Sequence, residues 1–183
     1  NLSQTREKLV FYRLVDELLN IIPKRVYTFG RPRKSLRDML FCCLVKIYSN
    51  TSSRRIISEL EIAKRAGYIS EVPHFNTLLN YFDDSAMFIV LNYLISVSAL
   101  PLKNVEEKFA IDSTGFGAHR FDRYYDSKYG EGSNLNKYRK AHAICGVATQ
   151  IVTSVAITGG NVADTKMLKP LVEDTSNLFN MKA

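Results

Sequence analysis

The feature that most restricts what this chain can fold into is a change of hydrophobic period near its middle. Up to about residue 100 the apolar positions recur at helical spacing, and from Lys108 onward they alternate. Residues 101–107, which open on Pro101, read as a linker between a helical domain over 1–100 and a strand-led domain over 108–183. The expected fold class is therefore α+β. A chain of 183 residues with 46% apolar content can build a core of useful size.

In the helical part, Leu9, Val10, Leu14, Leu18, Leu19 and Ile22 form one stripe of a first helix, which Pro23 closes. Residues 24–34 are a basic connector that includes Arg31 and Arg33. Ser35 can cap the next helix, with Asp38 three positions on and Leu36, Leu40, Phe41, Leu44 and Ile47 as its buried stripe. Ser52 or Ser53 starts a third helix from Arg54 to about Ala66, after which Gly67 suits a left-handed residue. A short fourth helix, His74–Phe82, turns Phe75, Leu78, Leu79 and Phe82 inward and leaves Asn76, Thr77 and Asn80 outward. Helices three and four resemble a helix-turn-helix with an overlong turn, and Arg54 and Arg55 could touch phosphates there. Two packed helices without DNA contact explain the pattern equally well. Asp84 or Ser85 caps a last helix to Ala99, whose near-continuous apolar content predicts burial on several sides.

In the strand-led part, the period of two over Lys108–Gly117 sends Phe109 and Ile111 to one face and Asp112 to the other. Ser113, Thr114, Gly115 and Gly117 predict that the strand stops there, in a turn beside a ligand. An acid at a strand end is also explained as a cap. Residues 116–140 interleave Arg120, Arg123, Lys137, Arg139 and Lys140 with Phe121, Tyr124, Tyr125, Tyr129 and Tyr138. Such cations hold phosphates and such rings stack on exposed bases, although tyrosines packed on their own domain fit nearly as well. Residues 141–147 and 151–158 predict a hairpin through Ala148-Thr149-Gln150. A helix follows over Ala163–Glu173, with Met167, Leu168 and Leu171 on one face and Pro170 inside it, and Leu178 begins another apolar run.

The net charge of +7 is clustered, which favours a polyanionic partner over a membrane surface. The three cysteines lack metal-ligand spacing and sit in apolar segments, so no disulfide framework is expected. No run reaches the roughly 18–20 apolar residues of a membrane span, and the expected location is the cytoplasm.

The order of elements now supports a resemblance. Ile111-Asp-Ser-Thr114, Lys140-Ala-His142 and Thr158-Gly-Gly-Asn-Val-Ala-Asp164-Thr-Lys-Met-Leu168 resemble the start of the ribonuclease H-like catalytic domain of Asp-Asp-Glu (DDE) insertion-sequence transposases. Gly30-Arg-Pro32, Leu36-Arg-Asp-Met-Leu40, Ser53-Arg-Arg55 and Pro73-His-Phe-Asn-Thr77 resemble that family's helical N-terminal domain. The resemblance implies a helical DNA-end-binding domain followed by an incomplete mixed β-sheet domain. It implies that Asp112 is the first metal-binding carboxylate, that the cofactor is Mg2+ or Mn2+, and that the substrate is double-stranded DNA at transposon ends. Asp164, where the family also tends to carry an acid, is expected to cap its helix rather than bind metal. His142 is expected first as a strand residue and second as a substrate contact. Because the second Asp and the Glu of the triad have no counterpart in these residues, the chain is expected to be a truncated, inactive fragment of low stability in isolation. It would pair with itself or with a full-length transposase. The competing expectation is a non-catalytic DNA-binding module, or an inhibitor of a full-length relative.

Overall fold

The computed structural model describes residues 2–23, 29, 34–117 and 138–181. Arg31, Arg33, Arg120, Arg123 and Lys137, all expected DNA contacts, lie outside the described residues. The chain forms two compact units, 1–91 and 92–183. The division falls inside the last helix of the helical part, ahead of the linker read from the sequence.

The first unit comprises α1 (Leu2–Thr5), α2 (Glu7–Leu19), α3 (Leu36–Ser49), α4 (Ile56–Arg65), α5 (Phe75–Phe82) and the start of α6 (Ala86–Ala99). Its centre is α3, which packs against α2, α4 and α5. Met39, Leu40, Phe41, Cys42, Cys43 and Val45 are all buried, so α3 is covered on nearly every side rather than along one stripe. Ile47, expected in the stripe, is exposed. The Ser35 hydroxyl accepts from the Asp38 amide at 3.3 Å, the cap read from the sequence. Both α3 cysteines are free, and burial pushes each thiol up to about 12.

The face of α2 differs from expectation. Tyr12, Val15 and Leu19 are buried, whereas Leu9 is 65% and Leu14 57% exposed. The cause is aromatic packing. Tyr12 meets Phe41 at 5.5 Å and Tyr68 at 5.6 Å, both edge-on, and Phe41 stacks on Tyr68 at 5.4 Å. The Tyr12 hydroxyl donates to Glu59, which also accepts from Ser49 at 2.8 Å and pairs with Lys8 at 2.6 Å. Burial opposes ionisation of Glu59, but the bonds from Lys8, Tyr12 and Ser49 outweigh it and hold the carboxyl below its ordinary value. A stripe of aliphatic residues therefore loses to a tyrosine whose ring is packed and whose hydroxyl is satisfied.

Helix α4 ends as the sequence predicts. Gly67 adopts φ +85°, Tyr68 N–H bonds the Ala63 carbonyl, and Gly67 N–H bonds that of Lys64, the two bonds of a Schellman motif. Helix α5 is capped by His74, whose Nδ1 accepts from the Asn76 amide at 3.2 Å. It buries Leu78 but leaves Leu79 and Phe82 substantially exposed, because eight residues packed on α3 cover only one line of side chains. In α6, capped by Asp84, Met87, Leu94 and Ala99 are buried, yet Ile89 is 73% exposed, so this helix is not covered on several sides.

The second unit contains the end of α6, a 3₁₀ turn (Leu100–Leu102), β1 (Phe109–Gly117), β2 (Tyr138–Gly146), β3 (Val152–Gly159) and α7 (Thr165–Ser176). The described strands form one antiparallel sheet in the order β1-β2-β3. Strand β1 does not stop after Asp112. Ser113 pairs with His142, Thr114 with Ala141, Gly115 with Lys140 and Gly117 with Tyr138, which places Asp112 in mid-strand. The long partner strand β2 offers a ladder to hydroxyl and glycine residues that, read locally, predict a turn. The hairpin forms as expected, with Gln150 left-handed at φ 57° and a bulge beside Ile144 and Cys145. Helix α7 buries Leu171 and Thr175 and leaves Leu168 exposed. Thr175 joins it to β3 by hydroxyl contacts of 3.0 Å to Thr153 and 3.1 Å to Ser154.

Candidate functional site

Alternation along three registered strands sorts the chemistry of the second unit onto two faces. One face carries Phe109, Ser113, His142, Ile144 and Ser154. It is the face covered by α7 and the residues after it, since Ser154 donates to the Leu171 carbonyl at 3.2 Å and Phe109 meets Phe179 edge-on at 5.4 Å. The opposite face carries Ala110, Asp112, Thr114, Arg139, Ala141 and Ala143.

Asp112 stands exposed on this second face, directly opposite Ala143. With Ala110, Thr114, Ala141 and Ala143 around it, the carboxylate rises from a floor of small side chains. Its Oδ1 accepts from the Ser113 amide at 2.7 Å. Arg139, four residues along β2 from Ala143 and hence about 13 Å away, is exposed on the same face. A hard oxygen donor over small neighbours fits one ligand position of a divalent cation.

Asp164 belongs to the other face. It is the residue before α7, which starts two residues later than the expected Ala163, and its side chain makes no cap bond. It accepts instead from Lys140 Nζ at 2.7 Å and Ser113 Oγ at 2.9 Å, and lies 3.3 Å from His142 Nδ1. Helix capping loses because two better donors reach the carboxylate across the sheet. His142 is only 1% exposed, with Nε2 2.8 Å from the Thr158 hydroxyl. The Thr158 hydroxyl itself donates to the Gly159 carbonyl at 3.2 Å. Lys140 also donates to the Val162 carbonyl at 3.3 Å. Of the expected surface contacts, His142 is thus buried and Lys140 is engaged within the unit. Arg139 is exposed here, and Arg54 and Arg55 are exposed in the first unit. Ser113 and Thr158 were not singled out as site residues, although the period of two that separates Phe109 from Asp112 already puts Ser113 beneath the sheet with His142.

The two carboxylates therefore stand in different surroundings. Bonds from Lys140 and then Ser113 hold Asp164 below its ordinary value. A depressed native value stabilises the fold fully above the unfolded value, near 3.9, and that contribution disappears as pH falls through the native value. Asp164→Asn is expected to lower the denaturation midpoint at pH 7 and to match the parent near pH 2. An equal gap at both pH values contradicts this role. Among the described residues, no three His, Cys, Asp or Glu side chains stand together as a metal-binding group.

A further carboxylate, Glu106, was not anticipated. It is 1% exposed and accepts from the amides of Lys108, Ala148 and Thr149 and from the Thr149 hydroxyl, tying the approach to β1 to the β2–β3 turn. Burial opposes its charge, and these donors outweigh burial and hold the carboxyl below its ordinary value. Its work is structural.

No single helix among the described residues is long and apolar enough to cross a membrane. Residues 103–179 match the family described as the transposase DDE domain. No curated protein and no solved structure gives a significant match. The matched segment contains Asp112, the whole described sheet and α7, and it is over this segment that the chain is similar to a transposase DDE domain.

Proposed function

We propose that this chain acts in the transposition of an insertion sequence: it binds double-stranded DNA at transposon ends and contributes Asp112 to a divalent-metal site for strand cleavage and transfer. The observation that carries the reading is Asp112 itself, mid-strand, exposed and on the face opposite α7, within the matched segment. Three antiparallel strands followed by a helix agree with the opening of a ribonuclease H-like fold. Asp112 would hold Mg2+ or Mn2+, which in such sites activates the attacking oxygen and stabilises the leaving one. Asp164 is not assigned to that ion, because it leaves the opposite face and is engaged by Lys140 and Ser113.

DNA contact is assigned to the exposed Arg54, Arg55 and Arg139, with Arg31, Arg33, Arg120, Arg123 and Lys137 as further contacts by charge and sequence context. Two-ion cleavage needs several converging carboxylates, and among the described residues no group of three stands together, so the chain is proposed to bind without cutting. In that form it would serve as a non-catalytic module that occupies transposon ends, alone, with a second copy or with a full-length transposase.

Two assays test this. Binding to end-containing duplexes is expected to weaken with salt, to survive Asp112→Ala, and to lose about 0.9 from its logarithmic salt slope for each phosphate-contacting arginine replaced. Salt-independent binding, or none, defeats the reading. Nicking by the isolated chain with Mg2+ or Mn2+, lost in Asp112→Asn, would overturn the inactivity and keep the metal role.

A further inference from the structure

Helix α5 carries a surface that the transposase match does not reach, since the match begins at residue 103. Two cations are held against its rings. The Arg54 guanidinium lies 5.1 Å from the Phe75 ring centroid, and Lys46 Nζ lies 5.2 Å from that of Phe82. Phe75 and Phe82 are seven residues apart, about 10 Å along the helix axis. The cations are therefore spaced along α5 rather than gathered at one end. The exposed acids nearest this row are Asp83 and Asp84, which follow Phe82 at the C-terminal end of α5, so the positive character is strongest toward Arg54 and Phe75.

About 130° around α5 from this row the helix exposes Asn76 and Asn80, on the side away from the buried Leu78. They are four residues apart, so their amides emerge about 6 Å apart along the axis, close to two base steps of about 3.4 Å. An asparagine amide can bond both the N6 amine and the N7 of adenine in the major groove. A helix of eight residues, about 12 Å long, also suits a major groove about 12 Å wide.

We infer that α5 is the base-reading element of the first unit: Asn76 and Asn80 each address an adenine two steps apart in the major groove of duplex DNA, while Lys46 and Arg54 hold the flanking phosphates. This rests on the proposed DNA binding and adds to it which residues read sequence and what they read.

The test is selection of duplexes from a randomised pool by the full chain, followed by salt titrations of single variants. The selected duplexes are expected to share two adenines two steps apart. Asn76→Ala and Asn80→Ala are each expected to relax one of these positions, with roughly 5- to 100-fold loss of discrimination and an unchanged salt slope. Lys46→Gln and Arg54→Gln are expected to weaken binding to all duplexes alike and to reduce the slope by about 0.9 each. Both asparagines are exposed and alanine favours a helix, so the fold should survive, and circular dichroism checks that it does. Discrimination that persists in both asparagine variants overturns the inference and leaves DNA binding standing. Failure of the parent chain to bind duplex DNA in a salt-dependent way overturns both. Tighter binding to duplex RNA, whose major groove is too deep and narrow to be read, also overturns it.

Discussion

Phe41→Ala is expected to destabilise the first unit by about 3–5 kcal/mol, the range for deleting a fully buried aromatic side chain. Phe41 is 0% exposed and sits in α3, the helix against which α2, α4 and α5 pack. Its ring stacks on Tyr68 and receives the edge of Tyr12, so its removal opens a cavity between three elements that are fixed from other directions. Tyr12 is held to Glu59 and Arg37 donates to the Tyr68 carbonyl at 2.8 Å, so the neighbours have little freedom to collapse inward. A domain is typically stable by only 5–15 kcal/mol, and the variant should lose much of the unit's helical signal at temperatures the parent withstands. Denaturant titration followed by circular dichroism checks this. A loss under about 1 kcal/mol would show that the aromatic cluster is not the core.

Gly146→Ala is expected to destabilise the second unit by about 2–3 kcal/mol, at the upper end of overpacking. A Cβ on Gly146 would lie 2.3 Å from Glu106 Oε2 and 2.5 and 2.6 Å from its Cγ and Cδ. The end of a free side chain could swing away, but this one is buried and fastened by three amides and a hydroxyl. Moving it leaves those donors without a partner beside the turn that joins β2 to β3. Here glycine is required by a close approach, not by backbone conformation. The double variant Gly146→Ala with Glu106→Ala separates the causes: if the clash dominates, the two losses are far from additive. Additive losses would contradict it.

How far the sequence could be read depended on whether a local signal or a distant neighbour decided the outcome. The Ser35 cap, the left-handed Gly67, the β2–β3 hairpin and the separation of Asp112 from Phe109 follow from residues within one turn or one strand, and all are present. The buried face of α2 depended on Tyr68 and Glu59, far along the chain, which periodicity does not see. The length of β1 depended on β2, whose ladder keeps Gly115 and Gly117 in the strand. Asp164 shows the same limit at the site. Its position before a helix is local and legible, but Lys140, His142 and Ser113 reach it only through the register of the sheet. Glu106 carried no signal at all, because the amides it binds are brought to it by the hairpin.

The division of work between the two carboxylates can be tested with Mn2+ as a paramagnetic probe, followed by nuclear magnetic resonance on the full chain. Line broadening is expected to centre on Asp112 and its face of the sheet, around Ala110, Thr114 and Ala143, to vanish in Asp112→Asn, and to persist in Asp164→Asn. Broadening centred on Asp164, or unchanged by Asp112→Asn, would contradict the assignment of the metal to Asp112.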